Sequence, residues 1–586
     1  MDLDLVRQYE PVLRLTQGEM FRPIAVEDYL RSARLVLGRG GDARTLAEPG
    51  ELDPKALAEL GRAHLGEPLS LQFVSTPLGR GAYRDWVRSG QRPAFRRSSA
   101  AARVGLIARV LAALARLSLV IRGRVPGGQA AAAQIQADGS AAECHYYARV
   151  TRDAGYVAIQ YWFLYPMNDW RSSFGGVNDH EGDWEQITVF LADTDDGPVP
   201  AWVAFSSHDE VGADLRRRWD DPDLARQGNH PVVYVGAGSH SGAYLPGEYL
   251  VSIAPNLPPW VERLRRSLAR ILPWADPEGQ IGIPFIDYRR GDGMTIGPGA
   301  DHGWRAGLID ESTDWVVDFV GLWGLDTHDP LGGERAPAGP RYERDGRVRA
   351  SWAQPVAWAD LDREPPGPAV REVLWEQRFR AVRDQLHRIE SELAVARAAL
   401  RSATVAAGSP DPTTRPPGSE VEQASARVRD LRVRQARLAE QAMALHRSEG
   451  GAAPTPGVHD HLSHRALPML AGESSGWALR AWSSVSAVLL FLAAGLVLLN
   501  GSSALLVPLL GLIAVMLLVE AILRRRMLTL LVRVAIAVAV GAGLLVVADL
   551  LLGHMRQTLG VLLLLGAGIL AIQSLGEAGR RRGGST

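Results

Sequence analysis

The stretch NDHEGDWEQITVFL, residues 178–191, gathers Asp179, Glu181, Asp183 and Glu185 around His180 and Trp184 and then runs into apolar sequence. Residues alternate between faces along a strand. If Asp183–Leu191 is one, Asp183 and Glu185 share a face with Ile187 and Val189, while Trp184, Gln186, Thr188 and Phe190 point the other way. His180 lies just ahead, in a turn containing Gly182, from which it can fold back toward the carboxylates. Two carboxylates a strand repeat apart repel unless a proton is shared or a cation intervenes. A His, Asp and Glu set without sulfur suits a divalent cation, calcium or magnesium first, then manganese or zinc. HEGDW lacks the second His of H-E-x-x-H, so helical zinc binding is not indicated. From the residues alone, turn capping or pairing with arginines is an equal alternative.

The strand sits in a region that reads as mainly β. VAIQYWFL (157–164), QITVFL (186–191), VPAWVAF (199–205), PVVYV (231–235) and WVVDFV (315–320) are short apolar runs bounded by turn residues. Short strands with long irregular connections favour an antiparallel sheet or sandwich over a parallel one. Two helical insertions are expected, at 98–121 and 259–277, and either could lie on an anionic membrane surface. Residues 1–365 are therefore expected to form a β-sandwich head with helical insertions.

These motifs also carry a family resemblance. QYWFLYPMNDW (160–170), NDHEGDWEQITVFL (178–191), HPVVYVGAGSHSGAY (230–244) and GLWG (321–324), with GEMFRPIAVEDYL (18–30) near the start, resemble the proteins grouped with vacuolar protein sorting-associated protein 62. That domain is in turn similar to the necrosis-inducing cytolysins, β-sandwich proteins whose heptapeptide is G-H-R-H-D-W-E. In the cytolysins the matching residues surround a divalent cation that helps engage sphingolipid head groups. The resemblance implies His180, Asp183 and Glu185 as metal-site residues, with Asp169 as a further ligand. His240, in GSHSGAY, and Glu181 are additional candidates. One departure is clear: Gly182 stands where the heptapeptide has its second His.

Beyond the head the character changes. Trp375, Phe379, Val382, Leu386, Ile389, Leu393, Ala396 and Leu400 recur in steps of four and three, which is a heptad seam. Val421, Ala424, Val428, Leu431, Gln435, Leu438, Ala442 and Leu445 form a second, and the prolines of 408–419 must interrupt the helix between them. Residues 366–450 are expected to be an antiparallel helical hairpin or coiled coil, with pairing between subunits as the alternative. Residues 451–480 read as a flexible linker. Residues 481–586 carry four apolar runs, Trp482–Leu499, Ala504–Leu523, Met527–Leu552 and Thr558–Leu575, each near the ~20 residues that cross a bilayer. Glu520, Arg533 and Asp549 lie in or near these runs, where snorkelling at a helix end is the cheaper account and an ion pathway the other.

The Arg clusters at 524–526 and 580–582 place the head and both termini on the cytoplasmic side of a plasma or inner membrane. Cys144 is the single cysteine, in keeping with a reducing compartment. The start, MDLDLVRQYEP, lacks an apolar signal core. A formal net charge of −1 offers no global field for nucleic acid. The expected function is a membrane-anchored, cation-dependent binding or effector module for a lipid, glycan or protein ligand, more a binder than an enzyme. A metal-dependent hydrolase and a head-gated channel are the rivals, and homo-oligomers through the coiled coil or membrane helices remain open.

Overall fold

The computed structural model describes residues 2–96 and 127–253 apart from short breaks, 281–325, 335–363, 371–407, 418–449, 458–469 and 477–524, with scattered positions at 104–114 and 527–534. The chain divides into two units: residues 1–100, 110–253 and 282–473 make the first, and 101–109, 254–281 and 474–586 the second.

The main strands of the first unit are β1 (Val12–Arg14), β2 (Cys144–Asp153), β3 (Tyr156–Asn168), β4 (His180–Ala192), β5 (Val199–Phe205), β6 (Arg216–Arg218), β7 (His230–Val235), β8 (Thr295–Ile296) and β9 (Trp304–Leu308). One six-stranded sheet has the order β9-β2-β3-β4-β5-β6, antiparallel except where β9 pairs parallel with β2. A second sheet contains β7, β1 and β8, with β1 and β7 parallel. The sheets are thus mixed where an antiparallel arrangement was expected. Residues of both, including Leu13, Val233 and Ile296 from the second and Tyr161, Phe163 and Val189 from the first, meet in one core.

β3 and β4 are buried along their whole length. Their other face is covered as well: Tyr156, Ala158 and Phe190 pack with Val356, Ala359 and Leu361 from short helical turns at 350–363. Burial on two faces is why VAIQYWFL is an unbroken apolar run rather than an alternating one. The result is a sheet-rich domain with helices laid over it. WVVDFV departs from expectation: Asp314–Asp318 is a short helix, not a strand. Trp315 and Val316 are the buried residues of this helical turn. The ring of Trp315 stacks on Trp184 at 6.1 Å, while Trp323 meets Trp184 edge-on at 5.0 Å.

Arg371–Ala407 and Gly418–Glu449 are long helices, α1 and α2, that pack together. The heptad reading is visible in their exposure. From Phe379 to Leu400 every buried or half-buried position is a seam position, with Leu393 buried, and α2 turns Val428 and Leu431 inward. Arg427 reaches Glu392 at 3.1 Å across the pair. At the base, Gln441 bonds Asp362 and Arg437 donates to the Ala357 carbonyl. α2 thus returns the chain to the head.

The linker expectation is corrected over 458–469, which lies along the head. Ser463 and His464 amides donate to Asp214 Oδ1 at 2.6 and 3.0 Å, and Met469 N–H donates to the Glu248 carbonyl at 2.7 Å. Polar side chains and turn-forming Pro here serve docking, not flexibility.

In the second unit, α3 (Trp477–Asn500) is long and apolar enough to cross a membrane, and α4 (Leu506–Leu523) is apolar but shorter. One candidate span among the described residues replaces the four expected. Most of the run from Met527 and all of the run from Thr558, with Arg533 and Asp549, lie outside the described residues, as do the 259–277 insertion and most of 98–121. Glu520 is buried, bonded by Arg109, by Trp482 Nε1 at 3.1 Å and by Arg524 Nε at 2.7 Å, so its charge is matched within the unit.

The α1–α2 seam is testable. Leu431→Ala should lose about 2–5 kcal/mol of hairpin stability, read as an earlier helical transition in thermal circular dichroism. Val395→Ala, at a position 71% exposed, should stay within about 0.5 kcal/mol.

Candidate metal site

β4 begins at His180, three residues earlier than the sequence suggests, and its pairing with β3 sets Asn168 opposite His180, Met167 opposite Glu181 and Tyr165 opposite Asp183. Strict alternation would then put Glu181 with Asp183 and Glu185, and His180 on the opposite face. The structure does the reverse. Gly182 adopts φ +65°, a left-handed conformation that breaks the alternation between residues 181 and 183. Beyond that break His180 Nε2 lies 3.6 Å from Asp183 Oδ1. Glu181 turns away to accept from the amides of Phe73 (2.8 Å) and Val74 (3.1 Å) and from Gln129 Nε2 (2.7 Å). An added Cβ at 182 would stand 2.1 Å from the Trp323 carbonyl oxygen. No side chain fits, which accounts for Gly in the place of the heptapeptide's second His.

His240 comes to Asp183 from the turn after β7. Its Nδ1 lies 2.8 Å from Asp183 Oδ2, and its ring stacks on Tyr165 with centroids 3.8 Å apart. His240 has φ +53°, a strained conformation for a non-glycine residue. The flanking serines hold the turn: Ser239 and Ser241 hydroxyls donate to the two oxygens of Asp287 at 2.8 and 2.7 Å, and Arg289 Nε braces the same carboxylate at 2.9 Å.

Glu19 completes the surroundings of His240. Its Oε1 accepts from the amides of Met20 and Phe21, its Oε2 from Gly238 N–H at 2.6 Å, and His240 Nε2 lies 3.5 Å from Oε1 without a hydrogen bond. Asp169, fully buried, follows β3; its backbone N–H donates to the Gly238 carbonyl and neither side-chain oxygen has a hydrogen-bond partner. Glu185 accepts from the Ser206 hydroxyl at 3.0 Å. Asp179 caps the amides of Arg171 and Ser172 and belongs to the local turn.

The electrostatics follow from burial. Asp169 is pushed well above the ordinary carboxylate range by desolvation and then by the charge of Glu19. Glu185 moves the same way, through desolvation and then Asp183. Burial alone would lower the His240 pKa, but the nearby Glu19 charge and the hydrogen bond to Asp183 raise it to about 10. Without a metal, one imidazolium offsets a group of buried acids.

The donor set of carboxylates and imidazoles fits a divalent cation, with the Asp169 oxygens as acceptors that have no donor in hydrogen-bonding geometry and His240 a ligand only once it gives up a proton. The ligand atoms are not gathered to coordination distance, however. Among the described residues, the group whose three donor atoms all lie within 4.8 Å of one another is a different one, Asp221, Asp223 and His459. The sequence-predicted residues thus separate: His180, Asp183 and His240 meet directly, Glu185 and Asp169 join through their charges, and Glu181 is structural. Glu19, Asp287 and Arg289 escaped sequence reading. Glu19 lay within GEMFRPIAVEDYL, but no spacing links residue 19 to residue 240.

No family model matches the chain, and no curated protein does. Among solved structures it is similar to "NLPPya in complex with glucosamine", at 19% identity and TM-score 0.14, over 17% of this chain and 44% of that one. It is also similar to "Toxin fold for microbial attack and plant defense", at 20% identity and TM-score 0.13, over 15% and 38%. The chain therefore spans less than half the length of these cytolysin-type neighbours.

Two substitutions separate fold from site. Gly182→Ala should cost at least about 1–3 kcal/mol from backbone strain alone and weaken cation binding with it. Glu181→Ala should cost about 1–3 kcal/mol per stranded amide yet leave cation affinity within about twofold once folded. Denaturant unfolding and calorimetric titration on the same samples read both.

Proposed function

We propose that the head is a divalent-cation-dependent binding or effector module, held to a membrane by the apolar helices after residue 476 and directed at a lipid, glycan or protein ligand. The observation that carries this reading is Asp169, a wholly buried carboxylate with both oxygens unpaired beside Glu19 and His240. Desolvation and the Glu19 charge disfavour the ionised form of Asp169, and a cation bound among Asp169, His180, Asp183, Glu185, Glu19 and His240 would offset that repulsion and present an open coordination position to a ligand. The motif resemblance to the vacuolar protein sorting-associated protein 62 group and the cytolysins supports the same residues.

Two features weigh against the rivals. Of the two general-base candidates, Glu181 is engaged by three hydrogen bonds and His240 is bonded to Asp183 with its pKa raised, which disfavours the neutral base. Glu520, which a conducting bundle would expose to a pore, is neutralised by Arg109 and Arg524.

The reading is checked on the full chain in detergent. Titration with calcium, magnesium, manganese and zinc should show saturable binding that His180→Ala/Asp183→Ala/Glu185→Ala loses while keeping the native circular dichroism spectrum. Vesicles with and without sphingolipid should then separate on cation addition; a triple variant that binds every cation as the parent does would end the proposal.

A further inference from the structure

The group formed by Asp221, Asp223 and His459 lies away from the motifs discussed above. Asp221 and Asp223 sit in the turn after β6, in the sequence DDPDLAR, and His459 belongs to the docked segment 458–469. We propose that these three residues form a second metal site, for a zinc- or manganese-like cation, that clasps the segment leaving the helical hairpin onto the head.

The separations are those of ligands around one ion. His459 Nε2 lies 2.9 Å from Asp221 Oδ1 and 3.4 Å from Asp223 Oδ2. Ligands about 2.1 Å from a metal are about 3.0 Å apart in octahedral and about 3.4 Å apart in tetrahedral geometry. One imidazole and two carboxylates are donors that zinc and manganese accept. The ligands come from positions 221, 223 and 459, so an ion here cross-links parts of the chain that the sequence holds far apart.

The independent mark of a ligand is Asp221. Its side chain is 0% exposed, and Oδ2 has no hydrogen-bond partner. Oδ1 is occupied, accepting from Asp223 N–H at 2.8 Å and facing His459. Asp223 is differently placed: Arg465, six residues beyond His459, holds both its oxygens at 2.8 and 2.6 Å. Arg465 balances one of the two carboxylates and aligns it. The second negative charge and the unused Oδ2 are what a cation would satisfy, and each oxygen of Asp223 retains a lone pair beyond its bond to Arg465.

The surroundings fit a clasp. His461 packs edge-on against Trp202 with ring centroids 5.2 Å apart, and its Nε2 lies 3.2 Å from the Arg216 carbonyl. Pro468 lies against Gly247, where an added Cβ would stand 2.4 Å from it. The segment is thus seated at both ends, with the metal ligands at the hairpin side. Cation binding would tighten the hold of the head on the chain between α2 and α3, and cation loss would leave the contacts of Asp214, His461, Arg465, Pro468 and Met469.

The test uses the full chain in detergent, titrated with zinc chloride and with cobalt as a spectroscopic probe, and amide exchange over 458–469 as a second readout. Zinc should slow exchange of this segment at least about tenfold, chelator should reverse it, and His459→Gln or Asp221→Asn should each lose one equivalent of zinc. The His180→Ala/Asp183→Ala/Glu185→Ala variant should retain that equivalent, so failure of the head site and failure of the clasp are distinguished. Exchange over 458–469 in the unmodified chain that ignores zinc and chelator, or full zinc stoichiometry in His459→Gln, overturns the proposal and leaves an ion-pair contact.

Discussion

The head turns on one backbone conformation, the left-handed Gly182 beneath the Trp323 carbonyl. Strand alternation is a consequence of every residue sharing one region of φ/ψ space. A single residue at φ +65° exchanges the faces on which its neighbours stand. His180 thereby reaches Asp183, and Glu181 is delivered to the amides of Phe73 and Val74 instead of adding one more charge to the acidic group. Trp323 is fixed in turn: Tyr29 O–H donates to the same carbonyl, and its indole packs on Trp184 and Trp315. The aromatic cluster on one face of β4 therefore holds the backbone feature that arranges the polar group on the other.

How much of this was legible depends on the range of the governing interaction. The two long helices obey a local period that sequence displays directly, and Phe379, Val382, Leu386, Ile389, Leu393, Ala396 and Leu400 are the buried or half-buried positions of α1 between 379 and 400. β5, Val199–Phe205, was likewise visible as written. WVVDFV was misread because six apolar-rich residues fit a buried strand or a buried helical turn equally, and packing against Trp184 decides. Glu181 and His180 were separated only by Gly182, whose φ no sequence pattern displays. Glu19 meets His240 across more than 200 residues of chain, where no periodicity operates. Segment 458–469 was taken for a linker from its neighbours' Gly and Pro, although His459, His461 and Arg465 are not linker residues.

The docked segment changes the role of the hairpin. A stalk would carry the chain from head to membrane along its length. Here α2 comes back to Asp362 and Ala357, and the chain then follows the head to Met469 before α3 begins. α1 and α2 are therefore a closed excursion from the head, anchored at both ends to the same body.

The buried acids of the head then have a consistent physical account. Glu19, Asp183 and Glu185 each receive at least one protein hydrogen-bond donor, so their desolvation is partly offset. Asp169 has no donor in good hydrogen-bonding geometry, with the Ser173 side chain favouring its charged form, while His240 stands within 3.5 Å of Glu19 and both His240 and His180 lie beside Asp183. A structural network would be expected to satisfy its most buried member first, as the Ser239, Ser241, Asp287 and Arg289 cluster beside it does. The network around Asp169 leaves that member open, and it holds His240 in a strained conformation that Asp287 and Arg289 support from behind. The left-handed His240 is thus held by the satisfied Ser239, Ser241, Asp287 and Arg289 network behind it, while the desolvation of Asp169 is the part of the group that its neighbours offset least.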